Sequence, residues 1–177
     1  VRSRRQRQMC IRDSPKTKFE FEEVKKKRDS NISWIGDVWL KRLIEPYVKR
    51  ANIKAGWNFD LTMSEHFQFT IYNQGQYYGW HTDTAGELYH DNEWDNLMRK
   101  LSVTVSLSDP EDYEGGVLEF DLRNRGEINT NEIIKCKEIL PKGSIVVFPS
   151  YTWHRVSPVT KGTRLSLVQW NLGPGFK

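Results

Sequence analysis

The chain has 177 residues, with 27 Lys and Arg against 23 Asp and Glu, a length that suits one domain able to bury a sizeable core. No apolar run approaches the roughly 20 residues that span a bilayer, and the N-terminus has no apolar h-region, so neither a membrane protein nor a secretory leader is expected. Two cysteines, Cys10 and Cys136, lack metal-type spacing and make no disulfide framework, which points to a reducing cytoplasm.

Residues 1–14 hold five Arg against one acid, Asp13, and so carry the chain's entire net charge of +4. The run looks like a translated sequencing-adapter read. It is expected to be a non-native tail without packed contacts, standing where native sequence would begin the fold. Residues 15–177 are then a single domain with its core at about 60–172 and a truncated N-terminal part. Lys25 to Arg28 reads as a solvated run rather than a nucleic-acid patch, so nucleic acid is not an expected partner.

Phe19-Glu-Phe21 alternates like a short edge strand. Asp37 is placed to cap a helix, along which Leu40, Leu43, Ile44, Tyr47, Val48 and Ala51 recur at helical spacing up to Gly56. That stripe is expected to pack on a sheet, with Pro46 kinking or restarting the helix. From Glu65 the period changes to two. Phe67, Phe69 and Ile71 alternate with Gln68, Thr70 and Tyr72, and Val103, Val105 and Leu107 alternate with Ser102, Thr104 and Ser106. Asp109-Pro110 and Pro141-Lys-Gly143 are turns. Gly115-Gly116 precedes a strand rather than a helix, so it reads as a bend in a sheet and not as a phosphate loop. Residues 121–137 form a polar stretch with a hairpin excursion. Ile145 to Phe148 reads as a fully buried strand, and Val156 and Arg164 to Trp170 supply the last strands. Many short strands with regular turn signals argue a sandwich or barrel, here mainly β with a flanking helix (α+β).

Within this frame one stretch stands out: Tyr72-Asn-Gln-Gly-Gln-Tyr-Tyr78-Gly-Trp-His81-Thr-Asp83. On a strand, side chains two apart share a face, so His81 and Asp83 can hold one metal ion together. His154 is the candidate third ligand, and two His with one carboxylate form the facial triad of non-haem Fe(II) oxygenases. Their Nε2, carboxylate and Nε2 atoms should converge on one point. Zn(II) competes for such a set on affinity. His66 and His90 lack matching context and are read as non-ligands. Ten residues after His154, Arg164 can present a bidentate fork to a carboxylate, and Ser166 shares its strand face.

The ordered set is Tyr72-x-x-Gly75-x-x-Tyr78-x-x-His81-x-Asp83, Arg99-Lys-Leu-Ser102, Leu107 through Gly115-Gly116 to Phe120, Lys142-Gly143 to Phe148-Pro149-Ser150, then His154, Arg164 and Trp170. It resembles the 2-oxoglutarate/Fe(II)-dependent dioxygenases, specifically the prolyl 4-hydroxylase-like branch with the PKHD-type hydroxylases, over roughly residues 30–172. The resemblance implies a double-stranded β-helix core of jelly-roll or cupin type. It implies Fe(II) on His81, Asp83 and His154, 2-oxoglutarate as cosubstrate with its distal carboxylate on Arg164, and L-ascorbate keeping the iron reduced. Tyr72, Tyr78 and Ser166 are further cosubstrate candidates. Some relatives carry a second Tyr where this chain has Ser106. Arg99 lines the substrate mouth or forms a structural ion pair, and Trp80 and Trp153, each preceding a ligand, read as aromatics shielding the metal or bordering a groove.

The implied reaction consumes O2, releases succinate and CO2, and hydroxylates an unactivated C–H of a peptide or small-molecule substrate, with a peptidyl prolyl residue favoured by the resemblance. The same chemistry on a free amino acid, metabolite or nucleobase stays open, as does a non-catalytic binding module, which an intact triad with Arg164 argues against. No feature of the sequence speaks to oligomeric state.

Overall fold

The computed structural model describes residues 27–84, 86–90, 94–122 and 133–176. The N-terminal tail, the Phe19–Phe21 strand, Lys25 and Lys26, and the centre of the 121–137 excursion lie outside these residues. Among these residues thirteen strands and one α-helix run in the order β1 (Arg28–Asp29), β2 (Asn31–Ile35), α1 (Val38–Lys54), β3 (Met63–Ser64), β4 (Phe67–Tyr72), β5 (Tyr77–His81), β6 (Leu97–Ser106), β7 (Tyr113–Gly115), β8 (Leu118–Asp121), β9 (Ile133–Lys135), β10 (Ile145–Pro149), β11 (Trp153–Val156), β12 (Val159–Gly162) and β13 (Arg164–Pro174).

Two antiparallel sheets hold the fold, in the strand orders β1-β5-β11-β8-β9 and β10-β6-β13-β4-β2, with β3 on β13 and a small β12-β7 pair. From β4 to β6 the chain alternates between the two sheets, and it does so again through β10, β11 and β13. This winding is the double-stranded β-helix. Tyr72 and Phe148 from one sheet meet Leu118, Phe120 and Val156 from the other in an apolar cluster between them.

The alternating strands of the six-stranded sheet explain where α1 goes. Phe67, Val103, Val105 and Leu167 project to the outer face and pack against Leu40, Ile44 and Val48 of the helix. Gln68, Thr70, Ser102, Thr104, Ser106 and Ser166 point the other way, yet all are buried. The polar half of the pattern faces the space between the sheets instead of water. Leu101 is 0% exposed on β6, between β10 and β13. Leu101→Ala should cost about 2–5 kcal/mol, the range for a core Leu truncation. A urea midpoint equal to that of the unaltered chain would contradict this placement.

Several expectations change here. The buried helix stripe is narrower than the periodicity suggests: Leu43 and Tyr47 are exposed, beside Val38 and Trp39. Asp37 sits at the N-cap position without a side-chain cap bond, and α1 runs unbroken through Pro46. Pro46 and Arg42 are exposed, so the carbonyl that loses its donor is on the solvent side, where water can replace the bond. Gly56, at φ +70°, ends the helix as expected. Buried Asn52 then clamps the following loop, donating to the Phe59 carbonyl and accepting from the Phe59 N–H. β10 is not fully buried. Only Phe148 is, because β10 is an edge strand paired with β6 alone.

Candidate functional site

His81 is the last residue of β5, and His154 lies on β11 directly opposite it in the ladder. Asp83 lies two residues beyond the strand end. The shared strand face therefore does not hold it. Its backbone N–H donates to the Ser150 carbonyl, and the Ser102 hydroxyl donates to its carboxylate at 2.6 Å. The carboxylate oxygens are 3.6 Å from His81 Nε2 and 3.5 Å from His154 Nε2, and each of these side chains is at most 8% exposed. All three ligand atoms lie within 4.8 Å of one another.

That set fits a divalent ion. Ligand atoms held about 2.0–2.2 Å from a metal lie no more than about 4.4 Å apart across it, and both carboxylate–imidazole spacings fall inside this bound. His81 Nδ1 lies 2.8 Å from the Gly79 carbonyl and His154 Nδ1 2.9 Å from that of Thr152. Donation from each Nδ1 leaves both Nε2 lone pairs facing the cluster. Burial pushes the Asp83 carboxyl up, but the His81 hydrogen bond and the charges of His154, His81 and Arg99 outweigh it and hold the group well below the usual carboxylate range. Burial lowers His154 against the opposing pull of Asp83. A carboxylate and a neutral imidazole are the forms that bind metal.

Ser102 and Ser150, their hydroxyls 2.9 Å apart, are supporting groups that the sequence marked only as part of a motif. Loss of such an outer-shell partner typically costs 10–100-fold in metal affinity. Ser102→Ala should weaken Mn(II) binding by about that range with little change in Tm. Unchanged affinity in a metal titration would show that Asp83 needs no such support.

Arg99 is a structural ion pair. Its guanidinium donates to both Glu65 carboxylate oxygens at 2.6 and 2.7 Å, and Nη1 reaches the Asp83 carbonyl at 3.4 Å. Burial disfavours its charge, and the adjacent Glu65 more than restores it. It reaches this side because β6 pairs Leu101 with Asn171 but Arg99 with Leu172. The skipped Lys100 is a bulge, and a bulge re-aims the next side chain. A second register shift sets His154 opposite His81 but Val156 opposite Tyr78. Tyr78 thereby lands on the His81 side and stacks on its ring, with centroids 3.6 Å apart.

One pocket is lined by His81, Asp83 and His154 together with Tyr72, Tyr78, Arg164 and Ser166. Every residue expected to hold the metal or the cosubstrate is therefore brought together. Thr104 and Gln68 also line it; both were visible only as the polar half of a strand. Ser106 instead donates to the Ser108 carbonyl. Arg164 is 3% exposed, donates to Ser166 Oγ at 3.3 Å, and stands across the ladder from Tyr72, whose ring centre is 5.5 Å from its Cζ. Among the described residues no carboxylate lies within ion-pairing distance of it. Gly116, at φ +56°, makes room for this guanidinium: a Cβ there would come within 2.9 Å of Arg164 Cδ.

Trp80 and Trp153 do not shield the metal. Each faces away from the ligand that follows it; Trp153 is 48% exposed and Trp80 stacks under Arg155. His66 and His90 are exposed and outside the cluster. Cys136 is buried and free. No helix among the described residues is long and apolar enough to cross a membrane.

Comparison with known proteins agrees with this geometry. The chain is 35% identical over 103 residues to the PKHD-type hydroxylase YbiX of Escherichia coli O1:K1 / APEC, which is 58% of this chain and 40% of that protein. It thus spans about two fifths of the length of that relative. The Pseudomonas putida prolyl-4-hydroxylase structure aligns with TM-score 0.59 at 24% identity, covering 97% of this chain and 82% of that one. A Trichoplax adhaerens prolyl hydroxylase, solved with a hypoxia inducible factor oxygen degradation domain peptide, aligns with TM-score 0.59 at 21% identity over 81% and 63%. These two likenesses bear on the fold. Residues 67–171 match the profile of the 2OG-Fe(II) oxygenase superfamily, a span that takes in all three clustered side chains, Arg164 and more than half of the sequence, and the chain belongs to that superfamily.

Proposed function

We propose that this chain is an Fe(II)- and 2-oxoglutarate-dependent dioxygenase that hydroxylates a peptidyl prolyl residue, releasing succinate and CO2. The observation that carries the reading is a His-Asp-His cluster in one pocket with a buried guanidinium that, among the described residues, has no carboxylate partner. His81, Asp83 and His154 would hold the iron on one side, leaving the other side for cosubstrate and O2. Iron with 2-oxoglutarate supplies the oxidative decarboxylation and the C–H hydroxylation; L-ascorbate is the expected reductant that keeps the iron ferrous.

The protein contributes placement and a dry site. Arg164, with Ser166 beside it, binds and orients the distal carboxylate of the cosubstrate. Tyr72 and Tyr78 form the pocket wall and keep water from it. Ser102 and Ser150 hold the Asp83 carboxylate toward the two imidazoles. A prolyl peptide as substrate draws support from the names of similar proteins, and a reducing cytoplasm fits the buried free thiol of Cys136.

The test is anaerobic binding of Fe(II) and then 2-oxoglutarate, followed in air by succinate release with prolyl peptides and, separately, with free amino acids, small metabolites and nucleobases. Peptide-dependent succinate with a mass gain of one oxygen on proline is the expected result. Stimulation by a small molecule alone would move the substrate to that class. Failure to bind 2-oxoglutarate would leave a binding module.

A further inference from the structure

The short strands β1 and β2 do an unusual job. β1 pairs with β5 in one sheet, and β2, one residue later, pairs with β4 in the other. The segment closes the side of the barrel beside the pocket. Gln76 pins it there, donating to Asp29 Oδ1 at 2.8 Å. This hinge directs Arg28 between the sheets. Its Nε donates to Ser30 Oγ at 2.7 Å and its Nη1 to Gln68 Oε1 at 3.3 Å. Its Cζ lies 4.6 Å from the centre of the Tyr78 ring. His81 is stacked on one face of that ring at 3.6 Å, which leaves the other face to the guanidinium. Among the described residues Nη2 is buried with no hydrogen bond of ordinary geometry, although a hydrogen bond from Arg28 is among the causes that lower the Tyr72 phenol.

We propose that Arg28 is a positioning residue of the cosubstrate site: from behind the pocket lining it fixes Tyr72 and Tyr78 and adds a second positive charge to the pocket's preference for a dianionic 2-oxo acid. The inference rests on reading the pocket as a 2-oxoglutarate site. Three of its contacts, Gln68, Tyr72 and Tyr78, line that pocket. Burial pushes the Tyr72 phenol up, and the nearby charges of Arg28 and then Arg164 oppose it, so the two guanidinium groups flank one buried phenol. Among the described residues neither is ion-paired to a carboxylate. With Arg164 in the lining and Arg28 one side chain behind it, both positive charges favour an anion in the pocket. Arg also suits the stacked position, since its plane lies flat on an aromatic face and an ammonium does not.

The test is calorimetry of 2-oxoglutarate binding to the full chain loaded with Mn(II), which does not turn over, for Arg28→Met, Arg28→Lys and Asp29→Ala. Arg28→Met should lose at least about ten-fold in 2-oxoglutarate affinity while Mn(II) affinity stays within about two-fold. Arg28→Lys should fall between Met and the unaltered chain, and carries the test if the Met variant does not fold. Asp29→Ala removes the Gln76 acceptor, while the backbone pairing of β1 with β5 keeps Arg28 in place, and it should bind 2-oxoglutarate normally. The proposal is overturned if the foldable Arg28 variants bind 2-oxoglutarate as the unaltered chain does, or if Asp29→Ala loses as much, since Arg28 would then only dock a strand. No 2-oxoglutarate binding by the unaltered chain would instead remove the reading of the pocket itself.

Discussion

His154→Ala, His81→Ala or Asp83→Ala should each abolish tight binding of a divalent ion and, with it, succinate release. The three ligand atoms are within 4.8 Å of one another and come from two strands and a bend that the fold brings together. Removing one leaves two ligands and a void, a larger loss than the roughly 10–100-fold expected for a supporting group such as Ser102. The ranking is therefore part of the prediction: each ligand variant must bind Mn(II) more weakly than Ser102→Ala. Stability should not follow the same order, because the cluster sits in a pocket and not in the apolar core. A His154→Ala chain that bound one ion as tightly as the unaltered chain would place the metal elsewhere.

Arg164→Lys should weaken 2-oxoglutarate binding by about 10–100-fold, since one charge-assisted hydrogen bond is worth about 1.5–3 kcal/mol and each 1.4 kcal/mol is tenfold. Lys keeps the charge but loses the fork and the donor to Ser166 Oγ. Mn(II) affinity should stay within about two-fold, because Arg164 is not one of the three clustered ligands. Calorimetry with the metal added first and the cosubstrate second separates the two. Equal 2-oxoglutarate affinity in both chains would show that another group holds the distal carboxylate.

Arg28 and Arg164 differ in how they could be read. Arg164 lies on a strand that announces itself by alternation, ten residues after a His in a patterned motif. Arg28 ends a run of basic residues and looks solvated; only the pairing of β1 with β5 carries it between the sheets. Arg99 is an intermediate case. Its place in the motif was visible, but its role turned on a skipped residue, Lys100, that no local pattern reveals.

The sequence by itself determined a sandwich or barrel of short strands, which the resemblance of its ordered motifs narrowed to the double-stranded β-helix, the helix over 38–54 with its Gly56 end, and the candidate set of His81, Asp83 and His154 with Arg164. These rest on period, turn chemistry and ligand type, which are local properties or motif spacings. Tertiary structure alone decided which half of each alternating strand faces what. Ser102, Thr104 and Ser106 on β6 show in the sequence only as one half of an alternation, but a second sheet lies over them, so all three are buried and Thr104 lines the pocket. It also decided that Trp153 is exposed and that Asp83 hangs from Ser102 and Ser150 instead of from its own strand. The reason is common to all of these: alternation gives two faces but not their neighbours, and a bulge of one residue exchanges them.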